Sequence, residues 1–395
     1  MSCPKSTYLI AASILALVSC RLASAQFGPQ LPSFVSPEVM SDRKVVLRVY
    51  APNAQNVQVM GSDVPGMLQP KPMIKGDKGI WEVTLGPVDP GAYRYNFIVD
   101  GAMVLDYNNP SVSESVDNPW SMFYVPGAQF MDTEDVPHGS VEAVTYYSKS
   151  LQKFRRLHVY LPPGYESGAQ KYPVFYLLHG AGDSDDSWSS VGRAGWILDN
   201  LIAAHKVKPM VIVMPAGHTS RRPFANTAPG RPLNFNDDFV RDFENDIMPM
   251  AETRYRIQSD RAHRAIAGLS MGGAHTLYIG IANLDKFAYI GVFSSGLLDR
   301  FPIRPPVPGS GEAPPPDMTW ENTNRAQLEN AALKKGLKLF WFSTGSEDFL
   351  LQSTRETVDL FKKYGFTPVF HESPGAHTWI NWRNYLNEFA PQLFQ

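Results

Sequence analysis

The pentapeptide Gly268-Leu269-Ser270-Met271-Gly272 constrains this chain more than any other stretch. An apolar run, Ala265-Ile266-Ala267, precedes it, and Gly273, Ala274 and an apolar helical stretch to Ile279 follow. A G-x-S-x-G sequence in that setting predicts a sharp turn from a strand into a helix. Such a turn strains the serine backbone and crowds its neighbours, and glycine on either side removes the Cβ clashes. The hydroxyl then stands exposed at the strand tip. The next backbone N–H, that of Met271, points at the place where charge would develop on an attacked carbonyl oxygen. Ser270 is therefore the candidate nucleophile.

A serine held this way needs a base, and the base needs an acid, both on loops that follow later strands. His377, in Gly375-Ala376-His377-Thr378-Trp379, comes just after the strand-like Pro368 to His371 and is the candidate base. His371 sits within or at the end of that strand. His275 lies five residues past Ser270 on the helix and would point away from the hydroxyl. Asp348 follows the apolar run Leu339 to Phe342 and is the candidate acid, with the task of fixing the imidazole tautomer and stabilising the imidazolium. Its neighbour Glu347 could do the same chemistry. The chain order Ser, Asp, His is that of α/β-hydrolases and not of the chymotrypsin or subtilisin types.

A second oxyanion donor should come from the loop after the first long apolar strand. His179-Gly180-Ala181-Gly182 stands there, so the Ala181 N–H is expected to pair with that of Met271. His179 itself reads as a hydrogen bonder that fixes the loop. Trp188, close behind, is the candidate substrate-binding residue, packing against an aromatic acyl group; a core residue capping the first helix is the other reading. Asp183, Asp185 and Asp186 suggest helix capping more than metal binding.

Val174 to Leu178, Val211 to Met214, Tyr289 to Phe293 and Leu339 to Phe342 are continuous apolar runs bounded by turn residues, the pattern of parallel strands buried on both faces. Helical patterns lie between them. In Asp237 to Met250, Phe239, Phe243, Ile247 and Met250 share one face. The expected fold class is α/β, an α/β-hydrolase domain over 142–395 with helices on both sides of its sheet. Residues 27–125 differ. Short strand-like runs at Val45 to Tyr50, Val57 to Met60 and Trp81 to Leu85 precede an alternating stretch, Tyr93 to Val99, and an Asp100-Gly101 turn. These predict an all-β sandwich, joined to the second domain by a polar connector over 126–141.

With 44% hydrophobic and 19% charged residues the chain can bury a sizeable core. Its net charge of −2 gives no electrostatic case for nucleic acid or an anionic membrane surface. Residues 1–25 read as an export signal: Lys5, an apolar run from Tyr8 to Val18 too short to span a bilayer, then Ala23-Ser24-Ala25. The expected destination is secretion, extracellular or periplasmic. Leu17-Val18-Ser19-Cys20 resembles a bacterial lipobox, so a lipid anchor on Cys20 is the alternative. Both cysteines, Cys3 and Cys20, fall in this segment, and cleavage after Ala25 leaves no thiol for a disulfide, a thiolate metal site or a nucleophile. His371-Glu372 begins like a zinc-protease motif, but the second histidine would have to stand at Gly375, so no metal is expected. No phosphate loop or dinucleotide fingerprint occurs, and no cofactor is expected. Two long loops stand out: Ala216 to Asn236, with Arg221, Arg222 and Arg231, and Gly296 to Trp320, with seven prolines between Pro302 and Pro316. The second reads either as a stiff wall or lid or as a solvated insertion.

Two resemblances extend these expectations. Val46-Leu47-Arg48-Val49-Tyr50-Ala51-Pro52-Asn53-Ala54 and Pro90-Gly91-Ala92-Tyr93-Arg94-Tyr95, followed by Asp100-Gly101, resemble the early-set immunoglobulin-like modules called carbohydrate-binding module family 48. Downstream, His138-Gly139, Arg156 to Tyr165, Leu178-His179-Gly180, Gly268 to Gly273 and Gly375 to Trp379 resemble carbohydrate esterase family 1, the feruloyl, acetylxylan and esterase-D-like enzymes. That resemblance implies a triad on Ser270, Asp348 and His377. It also implies a plant cell-wall polysaccharide or oligosaccharide ester as substrate partner, with feruloyl esters of arabinoxylan preferred. Acetylxylan and siderophore trilactones are alternatives, as is a non-catalytic glycan-binding protein on the same scaffold.

Overall fold

In the computed structural model, residues 32–67, 69–219, 238–298 and 318–395 are described. The expected export segment with Cys20, the three loop arginines Arg221, Arg222 and Arg231, and the proline-rich stretch from Pro302 to Pro316 lie outside them. From Val35 to Gln395 the chain forms one compact unit.

Its N-terminal part is two packed sheets. The main strands are β1 (Val45–Tyr50), β2 (Val57–Met60), β3 (Ile80–Leu85), β4 (Gly91–Val99) and β5 (Trp120–Val125). One sheet pairs β1 with β3, and the other runs β2, β4, β5, each join antiparallel. The Asp100-Gly101 turn has positive φ at both residues, +48° and +89°, as a two-residue hairpin between right-twisted strands requires. Trp81, Tyr93, Tyr95 and Phe97 are all buried in the shared core, so none of these aromatics is offered to a sugar.

β4 departs from the half-buried pattern. Its polar alternates Arg94 and Asn96 are as buried as the tyrosines between them. The cause lies outside the sandwich: this face of the sheet is covered by the C-terminal part of the chain, and Ala92 belongs to that part's core.

That part is built on an eight-stranded sheet. Its strands are β6 (Ser140–Ser148), β7 (Lys153–Leu161), β8 (Val174–Leu178), β9 (Val211–Pro215), β10 (Arg264–Leu269), β11 (Tyr289–Phe293), β12 (Leu339–Gly345) and β13 (Val369–Ser373). The order is β6-β7-β9-β8-β10-β11-β12-β13, antiparallel through the first two joins and parallel from there on. Apolar runs in the parallel strands serve two cores at once. In β8, Val174, Tyr176 and Leu178 enter one, and Phe175 and Leu177 the other. Helices α1 (Ala194–Ala203), α2 (Met271–Ala282), α3 (Leu351–Lys363) and α4 (Trp379–Phe389) cover the two faces.

The helical stretch after the first long loop runs from Asp238 to Arg254 and contains a π-turn at Phe243–Ile247. Phe239, Phe243 and Ile247 are buried as the spacing predicts. The wider turn then shifts the phase, so Met248 takes a core position and Met250 is only partly covered. Among the described residues no helix is long and apolar enough to cross a membrane.

Candidate active site

The functional side chains lie at the C-terminal ends of the parallel strands, on loops that follow β10, β12 and β13. Between β10 and α2 the chain reverses at Ser270, whose backbone is held at φ +52°, ψ −118°, a conformation that L-residues avoid. The Ser270 N–H donates to Phe293 O on the neighbouring strand at 2.9 Å, which fixes the strained residue. Gly272 is required by contact: a Cβ there would stand 2.5 Å from His179 O. The turn is thus packed directly against the loop after β8.

Ser270 Oγ lies 3.0 Å from His377 Nε2, and His377 Nδ1 lies 3.0 Å from each carboxylate oxygen of Asp348. With Asp348 ionised, Nδ1–H donates to it and Nε2 is left to accept from the serine hydroxyl. Burial works to raise the Asp348 pKa. The hydrogen bond and charge of His377, the Leu350 N–H and the Ser294 hydroxyl outweigh that and hold the carboxyl below its ordinary value. Glu347, the adjacent acid, is exposed and takes no part in this chain of bonds.

The turn Gly180–Asp183 passes beside the nucleophile. A Cβ on Gly180 would strike Leu269 Cδ1 and come within 3.5 Å of Ser270 Cβ. Ala181 follows Gly180 in this turn, and Met271 opens the first turn of α2, where N–H groups lack intrahelical acceptors. His179 is buried, and burial pushes its pKa down. The neutral ring donates from Nδ1 to Gly180 O at 2.8 Å and accepts at Nε2 from the Gly217 N–H at 2.8 Å, so it ties the loop after β8 to the loop after β9.

Trp188 is corrected by its surroundings. It is 1% exposed, its Nε1 donates to Leu178 O at 3.1 Å, and its ring packs edge-on against Trp379 at 4.9 Å. Enclosed in this way it cannot meet an acyl group, and it is a core residue. The three aspartates before it do not cap a helix either, because α1 begins only at Ala194. Asp183 pairs with Arg94 at 2.7 Å, Asp185 with Arg156 and His158, and Asp186 accepts the Glu114 N–H at 2.9 Å.

Two residues near the triad have no counterpart among the sequence candidates. Ser294, at the end of β11, contacts the Asp348 carboxylate; its signal was the hydroxyl pair Ser294-Ser295 at a strand end beside the nucleophile strand. Phe349 follows Asp348, is 59% exposed, and holds its ring 4.4 Å from that of His377. A large aromatic residue directly after the acid was its signal. Among the described residues no group of three or more His, Cys, Asp or Glu is placed to hold a metal ion. The bonds from Ser270 through His377 to Asp348 can support nucleophilic attack by Ser270 with proton transfer through His377.

The family model described as "Putative esterase" matches residues 148–393, and that for carbohydrate-binding module 48 (isoamylase N-terminal domain) matches residues 34–121. The chain is 29% identical over 373 residues to an endo-1,4-beta-xylanase/feruloyl esterase of Xylanibacter ruminicola, covering 91% of this chain and 46% of that protein. It is 25% identical over 311 residues to endo-1,4-beta-xylanase Y of Acetivibrio thermocellus, covering 70% and 26%. The chain thus spans less than half the length of these two relatives. Among solved structures it is similar to a ferulic acid esterase of Anaeromyces mucronatus, with 25% identity, 68% of this chain and 96% of that chain covered, and a TM-score of 0.54. It shares its fold with the enterobactin esterase of Shigella flexneri, at 17% identity and a TM-score of 0.62 over 89% of this chain and 93% of that one.

Proposed function

Because the chain belongs to the Esterase family, we propose that it is a serine esterase that cleaves feruloyl and related hydroxycinnamoyl esters on plant cell-wall arabinoxylan. The observation that carries this is the unbroken relay from Ser270 Oγ through both nitrogens of His377 to Asp348. The acyl group is inferred from the similar feruloyl and ferulic acid esterases.

Ser270 Oγ attacks the ester carbonyl while His377 Nε2 takes its proton. Asp348 stabilises the imidazolium without being protonated itself. The N–H groups of Met271 and Ala181 hold the oxyanion, each contributing about 3 kcal/mol to the transition state. His377 then protonates the departing sugar alcohol, leaving an acyl-serine. Water, deprotonated by His377, releases the acid and restores the hydroxyl. Secretion is part of this reading: it takes residues 1–25 as an export signal, which fits a polymeric substrate met outside the cell.

The test is release of free ferulate from feruloylated arabinoxylan oligosaccharides by wild type and Ser270→Ala side by side. Release by wild type alone is expected. If wild type cleaves only simple aryl acetates, the esterase stands and the feruloyl assignment falls, with acetylxylan and siderophore trilactones as the alternative substrates. If it cleaves no ester yet binds xylan, the scaffold serves glycan binding and the catalytic reading falls.

A further inference from the structure

The oxyanion turn is gripped by a side chain from the other domain. Arg94, on β4 of the sandwich, has its side chain 8% exposed and reaches out of its own sheet. Nε donates to Asp63 Oδ2 at 2.9 Å within the sandwich, and Nη1 donates to Asp183 Oδ1 at 2.7 Å in the turn after β8. Asp183 closes that turn: its N–H donates to Gly180 O at 3.2 Å, and its Oδ2 lies 3.3 Å from where a Gly180 Cβ would stand. Ala181 is held between these two residues. Ser115 of the sandwich forms an isolated antiparallel bridge with Asp183, adding a backbone contact at the same place.

The same strand also touches the base's support. α4 starts two residues after His377, and its Arg383 donates from Nη1 to Ala92 O on β4 at 3.0 Å and to Val191 O at 3.0 Å. The Arg94 guanidinium also lies 5.9 Å from the ring of Trp379, the first residue of α4. One strand of the sandwich therefore contacts both the oxyanion turn and the helix behind the catalytic histidine.

We propose that Arg94 is a positioning residue for ester hydrolysis: through Asp183 it fixes the Ala181 N–H in the oxyanion hole, so the sandwich is a working part of the active site. This rests on the serine-esterase reading and on Ala181 as a donor. The physical ground is the burial of the pair. An Asp183 carboxylate that loses its guanidinium in this buried interface takes up a proton or moves toward water, and in either case the turn loses the bond that fixes it. A misplacement of about 1 Å in a reacting constellation is enough to lower the rate by about 10²-fold.

The experiment uses the full chain and 4-nitrophenyl acetate, a substrate too small to reach the sandwich. Arg94→Met, Arg94→Lys and Asp183→Asn are compared with wild type in kcat, KM and thermal midpoint. Affinity for a boronic acid, which forms a tetrahedral adduct on Ser270, is measured beside affinity for the product acid. Arg94→Met is expected to lose about 30- to 100-fold in kcat with KM within about twofold. Boronate affinity should fall in parallel and product affinity should hold. Arg94→Lys, which keeps the charge but not the fork, should recover part of the loss. If Arg94→Met does not fold, Asp183→Asn decides, because it leaves the Arg94–Asp63 pair intact; a loss of about tenfold in kcat is expected there. A folded variant with wild-type kcat and boronate affinity overturns the inference alone. A wild type inert to the ester overturns the esterase reading and this inference with it.

Discussion

The indole Nε1 of Trp382 donates to Ser294 Oγ at 3.0 Å, which leaves the Ser294 hydroxyl proton to the Asp348 carboxylate. The same indole packs edge-on against His377 at 5.0 Å. One tryptophan on α4 thus braces the base directly and the acid through a serine. Ser294→Ala removes a hydrogen bond to a buried charge, an interaction of about 1.5–3 kcal/mol. The expected result is a loss of about 10- to 100-fold in kcat with little change in KM, read with an aryl acetate. Its removal also takes away one of the bonds that lower the Asp348 pKa, so the carboxyl should titrate at a higher pH in the folded variant than in wild type. An unchanged Asp348 titration with wild-type kcat would show that Ser294 only fills space.

Trp188 supplies a second test, of core against pocket. Enclosed by Trp379 and bonded to Leu178 O, it should respond to substitution as a packing residue. Trp188→Ala is expected to lower stability by about 3–5 kcal/mol in urea unfolding. Trp188→Phe should fold and leave KM for a feruloyl ester within about twofold, since the lost contacts are all internal. A large rise in KM with normal stability would return Trp188 to the acyl pocket.

The contrast between Ser270 and Trp188 shows what a sequence can carry. The turn at Ser270 is a local event, encoded within five residues by the glycines that permit it, and the apolar runs of β8 to β12 are legible because both faces of each strand are buried. The order of the acid and base follows from which strand ends come last. Residues whose environment is made by distant chain segments were not legible. Alternation in β4 separates Tyr93 and Tyr95 from Arg94 and Asn96, but it cannot say that a second domain covers the polar side. Asp183 and Asp185 looked like caps because the arginines that bind them stand 89 and 29 residues away. Met250 lost its core place to Met248 through a π-turn that no spacing announces.

Asp185 gives the chain a defined acid sensitivity. Burial pushes its carboxyl up, but the hydrogen bonds from His158 and both arms of Arg156 prevail and hold it at about 2, against an ordinary 3.8. A pKa lowered by folding stabilises the native state above the unfolded value, and that contribution is lost as pH falls through the folded one. The window is therefore from about pH 4 down to about pH 2, and the amount about 2 kcal/mol. Urea unfolding of wild type and Asp185→Asn at pH 7, 4, 3 and 2 is expected to show the gap between them closing by that amount across the window. A gap that stays constant with pH would mean that the pair contributes packing and no linked charge.

Phe349 bears on which acyl group is preferred. Its exposed ring lies 4.4 Å from the imidazole of His377, so a flat aromatic acyl chain bound to Ser270 would pass within reach of it. Aromatic contacts of this kind contribute about 0.5–1.5 kcal/mol beyond the area they cover. Phe349→Ala is therefore expected to raise KM for a feruloyl ester about 2- to 10-fold and to leave an acetyl ester of the same alcohol unaffected. Phe349→Tyr, which keeps the ring, should behave as wild type toward both. The comparison separates contact with the acyl group from support of the base: if the histidine were what the ring serves, both esters would slow together, and the loss would fall on kcat.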